Sequence, residues 1–191
     1  GIAEQNLMGT AAGLATAGKL PFASTFAMFA SGRAFEIIRN SICYPNLNVK
    51  IAATHAGITV GEDGATHQAL EDISLMRSLP NMVVLSPADG VEAKQCIYKA
   101  AEHNGPVYIR LGRSKIPVIF DENYKFEIGK GVELKKGNDI SLIATGIMVE
   151  KALVAAEGLS KEGISARVIN ISTIKPIDED IIIKAAKETK G

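Results

Sequence analysis

Tryptophan is absent from this chain, cysteine occurs twice, and no apolar run approaches the roughly 18 residues that a membrane helix requires. A membrane-spanning helix is therefore excluded, and nothing at the N-terminus resembles a signal peptide. Cys43 and Cys96 have neither CxxC nor Cys/His ligand spacing, which removes a structural zinc site from consideration. Both fall in helical patterns and read as buried, reduced thiols of a cytoplasmic protein, with a disulfide between them as the alternative. Neither sign of charge is in excess, since Lys plus Arg and Asp plus Glu are 21 each. That balance provides no field to gather nucleic acid or to seek an acidic surface; a small, roughly neutral ligand or another protein chain fits better. Internal repeats and low-complexity tracts are also missing. What remains, 191 residues of which 47% are hydrophobic and 22% charged, is enough for one globular domain and part of another.

Helical and extended patterns alternate along the chain. Residues 4–17 carry Leu7, Ala11, Leu14 and Ala15 at helical spacing, 20–27 predict a strand, and 31–43 predict a helix with Phe35, Ile38 and Ile42 on one face. A strand at 48–54, a Gly-rich loop, a helix at 68–78, strands at 82–86 and 106–111 and a helix at 90–103 follow. The strands are apolar throughout rather than alternating, which implies an α/β fold with a parallel sheet covered on both faces. Residues 113–136 lose the rhythm and read as a connection between domains, after which a second strand-helix-strand-helix unit begins at DISLIATG. The chain opens at Gly1 directly into a helical pattern and stops at Gly191 just after another. Both ends read as cut.

Residues 54–68, THAGITVGEDGATHQ, concentrate His55, Glu62, Asp63 and His67 among glycines directly after an apolar strand. So polar a segment adds little to a core, which leaves chemistry or a solvated turn capping the next helix as the two readings. Parallel sheets bind ligands beyond the carboxyl ends of their strands, and Phe26 lies at the end of one predicted strand while Phe29, His55 and Arg113 follow predicted strands. They can face one pocket.

Several segments together carry a family resemblance: GIAEQN at 1–6, STFAMF at 24–29, ATHAGITVGEDGATHQ at 53–68, RSLPNMVVLSPADG at 77–90 and RLGRSKIP at 110–117. Residues 1–118 resemble the pyrimidine-binding domain of transketolase, with its first strand and helix missing. Residues 137–191, including NDISLIATG and ARVINISTIKPID, resemble the beginning of the transketolase C-terminal domain, and 119–136 form the linker. The nearest form is the C-terminal half of a split transketolase.

The resemblance implies a role for each matching residue. Glu4 matches the glutamate that hydrogen-bonds the aminopyrimidine of thiamine diphosphate and drives its imino tautomer, by which the cofactor becomes its own base. From its position alone, Glu4 equally serves the dipole of a first helical turn. Phe26 and Phe29 match the aromatic wall around the pyrimidine, or else plain core. Gly32 stands where many transketolases have tyrosine, leaving a space that is looser or filled by Arg33 or another chain. His55 and Arg113 match binders of the substrate phosphate, Asp63 a reader of a substrate hydroxyl, and His67 a histidine near the reacting carbons. Ala56 replaces an aspartate of some relatives, Glu62 is left as structural, and His103 reads as a helix C-terminal cap.

No GDG motif occurs, since residues 61–64 read Gly-Glu-Asp-Gly. The magnesium or calcium of the cofactor would then be held by a partner, a diphosphate-binding transketolase N-terminal subunit, within a symmetric assembly. The implied function is transfer of a two-carbon ketol unit between sugar phosphates. Rivals are a deoxyxylulose-phosphate synthase, the β subunit of a 2-oxoacid dehydrogenase, a metal-dependent hydrolase built on His55, Glu62, Asp63 and His67, and a non-catalytic binding module.

Overall fold

Helix α1 (Glu4–Thr16) buries Glu4, Met8, Ala11 and Ala12. These positions fall on one stripe of a 3.6-residue helix, and the stripe is rotated from the predicted one. Leu14, expected inside, is 46% exposed. Small alanines let the helix approach closely, and the register that achieves this carries Glu4 inward. A computed structural model describes residues 2–191, which divide into two compact units, one formed by 2–85 and 96–115 and the other by 86–95 and 116–191.

The first unit holds strands β1 (Phe22–Ala23), β2 (Lys50–Ala53), β3 (Val83–Leu85) and β4 (Val107–Arg110), in the order β1-β2-β4-β3. Every one of these pairings is parallel, as the continuous apolar runs imply. The strand expected over 20–27 is reduced to two residues, and pairing resumes as a bridge between Phe26 and Thr54. Beyond it the predicted helix is a wide turn (Phe29–Arg33), a short α2 (Phe35–Ile37) and a second wide turn (Ile38–Cys43). Wide turns of this kind recur at functional sites.

The Gly-rich loop contains two 3-10 turns, Gly61–Asp63 and Ala65–His67. The helix predicted from 68 begins only at Asp72, as α3 (Asp72–Ser78). The delay has a local cause: Gly57 N–H donates to the Ala69 carbonyl at 3.0 Å, which holds 68–70 out of the helix. Cys43 and Cys96 are buried thiols not joined in a disulfide. Helix α4 (Gly90–Glu102) ends against Lys50, whose fully buried ammonium donates to the carbonyls of His103 at 2.8 Å and Gly105 at 2.6 Å. Lys50, not the His103 ring, therefore supplies the cation at this helix end.

In the second unit, β5 (Val132–Lys135), β6 (Ile140–Ala144) and β7 (Ala166–Asn170) form a sheet in the order β5-β7-β6, with β6 parallel and β5 antiparallel to β7. Helix α5 (Met148–Lys161) packs Ala156 against Ala166 and Val168. After β8 (Thr173–Lys175), α6 (Glu179–Glu188) starts under a cap in which Asp178 accepts from Ile181 N–H. The segment 119–136 is anchored: Asp89 accepts from the N–H groups of Ile119 and Phe120, and buried Glu92 accepts from the Tyr124 hydroxyl and Asn170. No helix among the described residues is long and apolar enough to cross a membrane.

Candidate functional site

The inward register of α1 leaves the Glu4 side chain only 8% exposed, and Arg33 Nη1 donates to its Oε2 at 2.7 Å. That hydrogen bond is the main reason the Glu4 carboxyl lies below the usual range, opposed by burial and assisted by a backbone N–H and the guanidinium charge. The wide turn Phe29–Arg33 sets its first and last residues on one side, so the same guanidinium lies 4.6 Å from the centre of the Phe29 ring. Glu4 also lines a cavity of about 220 Å³ with Ala3, Leu7, Ser24 and Thr25.

From Phe29 the contacts continue to the loop. Phe26 and Phe29 are nearly parallel, at 6.4 Å and 14°, and Phe26 stacks on His55 at 3.9 Å. His67 presents its ring edge-on to both phenylalanines, 5.1 Å from Phe29 and 6.2 Å from Phe26. The separations of 5.1 to 6.4 Å are within the range in which aromatic pairs attract beyond their buried area, and the stack of Phe26 on His55 is closer. His55 holds a positive φ of 59°, and its Nδ1 is 3.0 Å from Thr54 Oγ1; His67 Nδ1 is 2.9 Å from Thr66 Oγ1. Each imidazole is thereby oriented by its neighbouring hydroxyl.

Glu4, Phe26, Phe29, His55 and His67, separated by up to 63 residues in sequence, are thus joined in one connected set through Arg33. Arg113 and Asp63 stand apart from that set. Arg113 Nη1 donates to the Val60 carbonyl at 2.7 Å and packs on Gly61, where an added Cβ would lie 2.0 Å from it. The φ of 75° is what favours glycine at position 61, and a larger residue there would also push the Arg113 guanidinium aside. Asp63 is exposed on the adjoining 3-10 turn.

Sequence reasoning missed a support beneath the loop. Asp72, 1% exposed, accepts from Tyr108 Oη at 2.9 Å and from Arg110 Nε at 2.8 Å, and Arg110 reaches the Ala69 carbonyl at 3.4 Å. Burial, then the charge of Asp72, raises the Tyr108 hydroxyl well above its usual range, which keeps it a donor. The available signal was a tyrosine and an arginine inside the otherwise apolar strand VYIR, facing an acid at a helix start. Among the described residues no three His, Cys, Asp or Glu side chains converge to hold a metal, so the hydrolase alternative has no ligand set in this geometry.

Residues 1–118 match the family described as transketolase, pyrimidine binding domain, and 129–191 match transketolase, C-terminal domain. The chain belongs to the transketolase family. A protein of Methanocaldococcus jannaschii, provisionally named a transketolase C-terminal section, is 58% identical over 97% of this chain and 59% of its own length. The 6-deoxy-6-sulfo-D-fructose transketolase subunit of a Clostridium species is 44% identical over 99% of this chain and 59% of its own. Among solved structures, a split-gene transketolase in the form of an inactive β4 tetramer is similar with a TM-score of 0.92 and 60% identity, over 98% of this chain and 60% of that one. The Campylobacter jejuni transketolase matches with a TM-score of 0.89 at 27% identity, over 99% of this chain and 30% of that one. The transketolase-family chain thus spans about three fifths of the first two relatives. Their shared fold is an α/β pyrimidine-binding domain followed by the transketolase C-terminal domain.

Proposed function

We propose that this chain is the pyrimidine-binding part of a thiamine diphosphate-dependent transketolase that moves a two-carbon ketol unit from a ketose phosphate to an aldose phosphate. In this reading 1–118 bind the pyrimidine, 137–191 begin the C-terminal domain and 119–136 join them. The carrying observation is the connected set of Glu4, Arg33, Phe29, His67, Phe26 and His55, which puts a nearly buried carboxylate beside two parallel aromatic rings. That donor set fits an aminopyrimidine, a flat heterocycle with a ring nitrogen able to share a proton.

When bound, the cofactor supplies the carbon nucleophile and electron sink of ketol transfer. Glu4 would hold a proton against the pyrimidine ring nitrogen, and Phe26 and Phe29 would orient the ring and exclude water. His67 would donate to or accept from a substrate oxygen near the reacting carbons. Asp63 would read a substrate hydroxyl, and His55 and Arg113 would bind the substrate phosphate. In this structure Arg113 holds a main-chain carbonyl, a weaker acceptor than a phosphate oxygen, so exchanging one for the other is favourable.

The diphosphate and its magnesium or calcium would be held by an N-terminal transketolase subunit. The subunit name of the Clostridium relative and the split-gene form of the similar structure support such a partner and an oligomeric assembly. The setting is cytoplasmic sugar-phosphate metabolism of the pentose phosphate type. The test is reconstitution with a diphosphate-binding transketolase subunit, thiamine diphosphate and magnesium, following two-carbon transfer from xylulose 5-phosphate to ribose 5-phosphate. Sedoheptulose phosphate is the expected product; a folded, assembled complex that forms none from any ketose phosphate would overturn the assignment.

A further inference from the structure

The acid central to the proposed site is not alone in its pocket. Arg33 grips Oε2 of Glu4 across 29 residues of sequence and lies over Phe29 at the same time. The terminal torsion of a glutamate is broad, so a carboxylate without a partner would present its oxygens in many directions. One charge-assisted hydrogen bond at Oε2 fixes that torsion. The pair is also asymmetric, since the Arg33 side chain is 46% exposed and that of Glu4 8%. Glu4 has lost most of its water, while the Arg33 side chain keeps much of its own.

We propose that Arg33 is a positioning residue for Glu4, holding Oε2 so that Oε1 is presented to the ring nitrogen of a bound aminopyrimidine. The inference rests on the thiamine diphosphate reading above. A consequence in protons follows. The other residues lining the cavity around Glu4, namely Ala3, Leu7, Ser24 and Thr25, do not titrate near neutrality; the α-amino group adds a smaller charge effect on Glu4 than Arg33 does, the same in wild type and variants, and His67 meets the Phe29 ring edge-on. A fixed positive charge on Oε2 lowers the proton affinity of Glu4, and equally that of the Glu4–pyrimidine pair once the two share a proton. Cofactor binding near neutrality takes up that proton, and uptake ends when the pH exceeds the affinity of the pair.

The experiment is calorimetry of thiamine diphosphate binding to the reconstituted complex, with magnesium, in buffers of different ionisation enthalpy from pH 5.5 to 9. It reads the dissociation constant and the number of protons taken up. Arg33→Met should move the midpoint at which uptake is lost upward by about one pH unit, Arg33→Gln should do the same, and Arg33→Lys should stay near wild type. In a Glu4→Gln background the Arg33→Met shift should vanish. Coincident midpoints for wild type, Arg33→Met and Arg33→Gln would overturn the proposal, as would a shift that persists with Glu4→Gln. A wild-type complex that binds no thiamine diphosphate would instead remove the functional reading itself, and this inference with it.

Discussion

Glu4 is placed by the register of one helix. It shares a stripe with Met8, Ala11 and Ala12, and burying those apolar residues carries the carboxyl inside, where Arg33 pairs with it. If Glu4 manages the cofactor proton, Glu4→Ala in the reconstituted complex should lower turnover by about a hundredfold or more, the usual range for lost acid-base help. Turnover close to wild type at ordinary cofactor concentration would assign Glu4 to the helix end instead. In the proposed reading Arg113 serves the other end of the substrate. Charge-assisted hydrogen bonds are worth about 1.5 to 3 kcal/mol, so Arg113→Ala should cut catalytic efficiency with phosphorylated sugars by about one to two orders of magnitude. Hydroxypyruvate, which offers no phosphate, should be largely spared, and His55→Ala should show the same asymmetry more mildly. Equal losses with both substrates would mean that the Arg113 contact with Val60 shapes the loop rather than receives a ligand.

Lys50 joins two elements by holding carbonyls just beyond the end of α4 from within β2. Burial pushes its ammonium down to about 8, since no carboxylate is paired with it among the described ion pairs. Its folded value therefore lies below the unfolded one, near 10.4. Between these values the unfolded chain binds more protons than the folded one, so this residue makes stability rise with pH from about 8 to about 10.4. In Lys50→Met that increment should disappear, shrinking the rise in unfolding free energy across the window by at most about 3 kcal/mol. Urea unfolding at pH 8, 9 and 10 measures it, and parallel slopes for the two proteins would show that the ammonium is well solvated. His103 acts in the same direction at lower pH: burial and then the Lys50 charge depress its imidazole, so its contribution is lost as pH falls below the usual histidine value. The Gly-rich loop depends on a different support, the Asp72–Tyr108–Arg110 set under Ala69, which fixes where the loop ends and α3 begins.

At the scale of the whole molecule, the proposed site would supply groups for a pyrimidine and a sugar phosphate, while the described residues hold no convergent set of His, Cys, Asp or Glu for a metal. The isolated chain should therefore bind thiamine diphosphate weakly and show no two-carbon transfer, with both restored by the diphosphate-binding subunit. Normal turnover of xylulose 5-phosphate by the purified chain alone would overturn the division of the site between two subunits.

The order of strands in the first unit was legible in the sequence, because apolar runs between helical patterns dictate parallel strands, and STFAMF and GEDGATHQ, which resemble family motifs, singled out the candidate residues. The connectedness of Glu4, the two phenylalanines and the two histidines was not. Periodicity predicted Leu7, Ala11, Leu14 and Ala15 on the buried face of α1; Ala11 is buried, but packing chose Met8 and Ala12 over Leu14, which rotates the stripe and carries Glu4 inward. Helical propensity likewise extended α3 back to residue 68, and a hydrogen bond from Gly57 to Ala69 overrode it. Local pattern fixes what each segment can become, but burial and ion pairing are decided between segments. Arg33 meets Glu4, and Lys50 meets the end of α4, only once the chain has folded back on itself, and a charge removed from water must find its partner there.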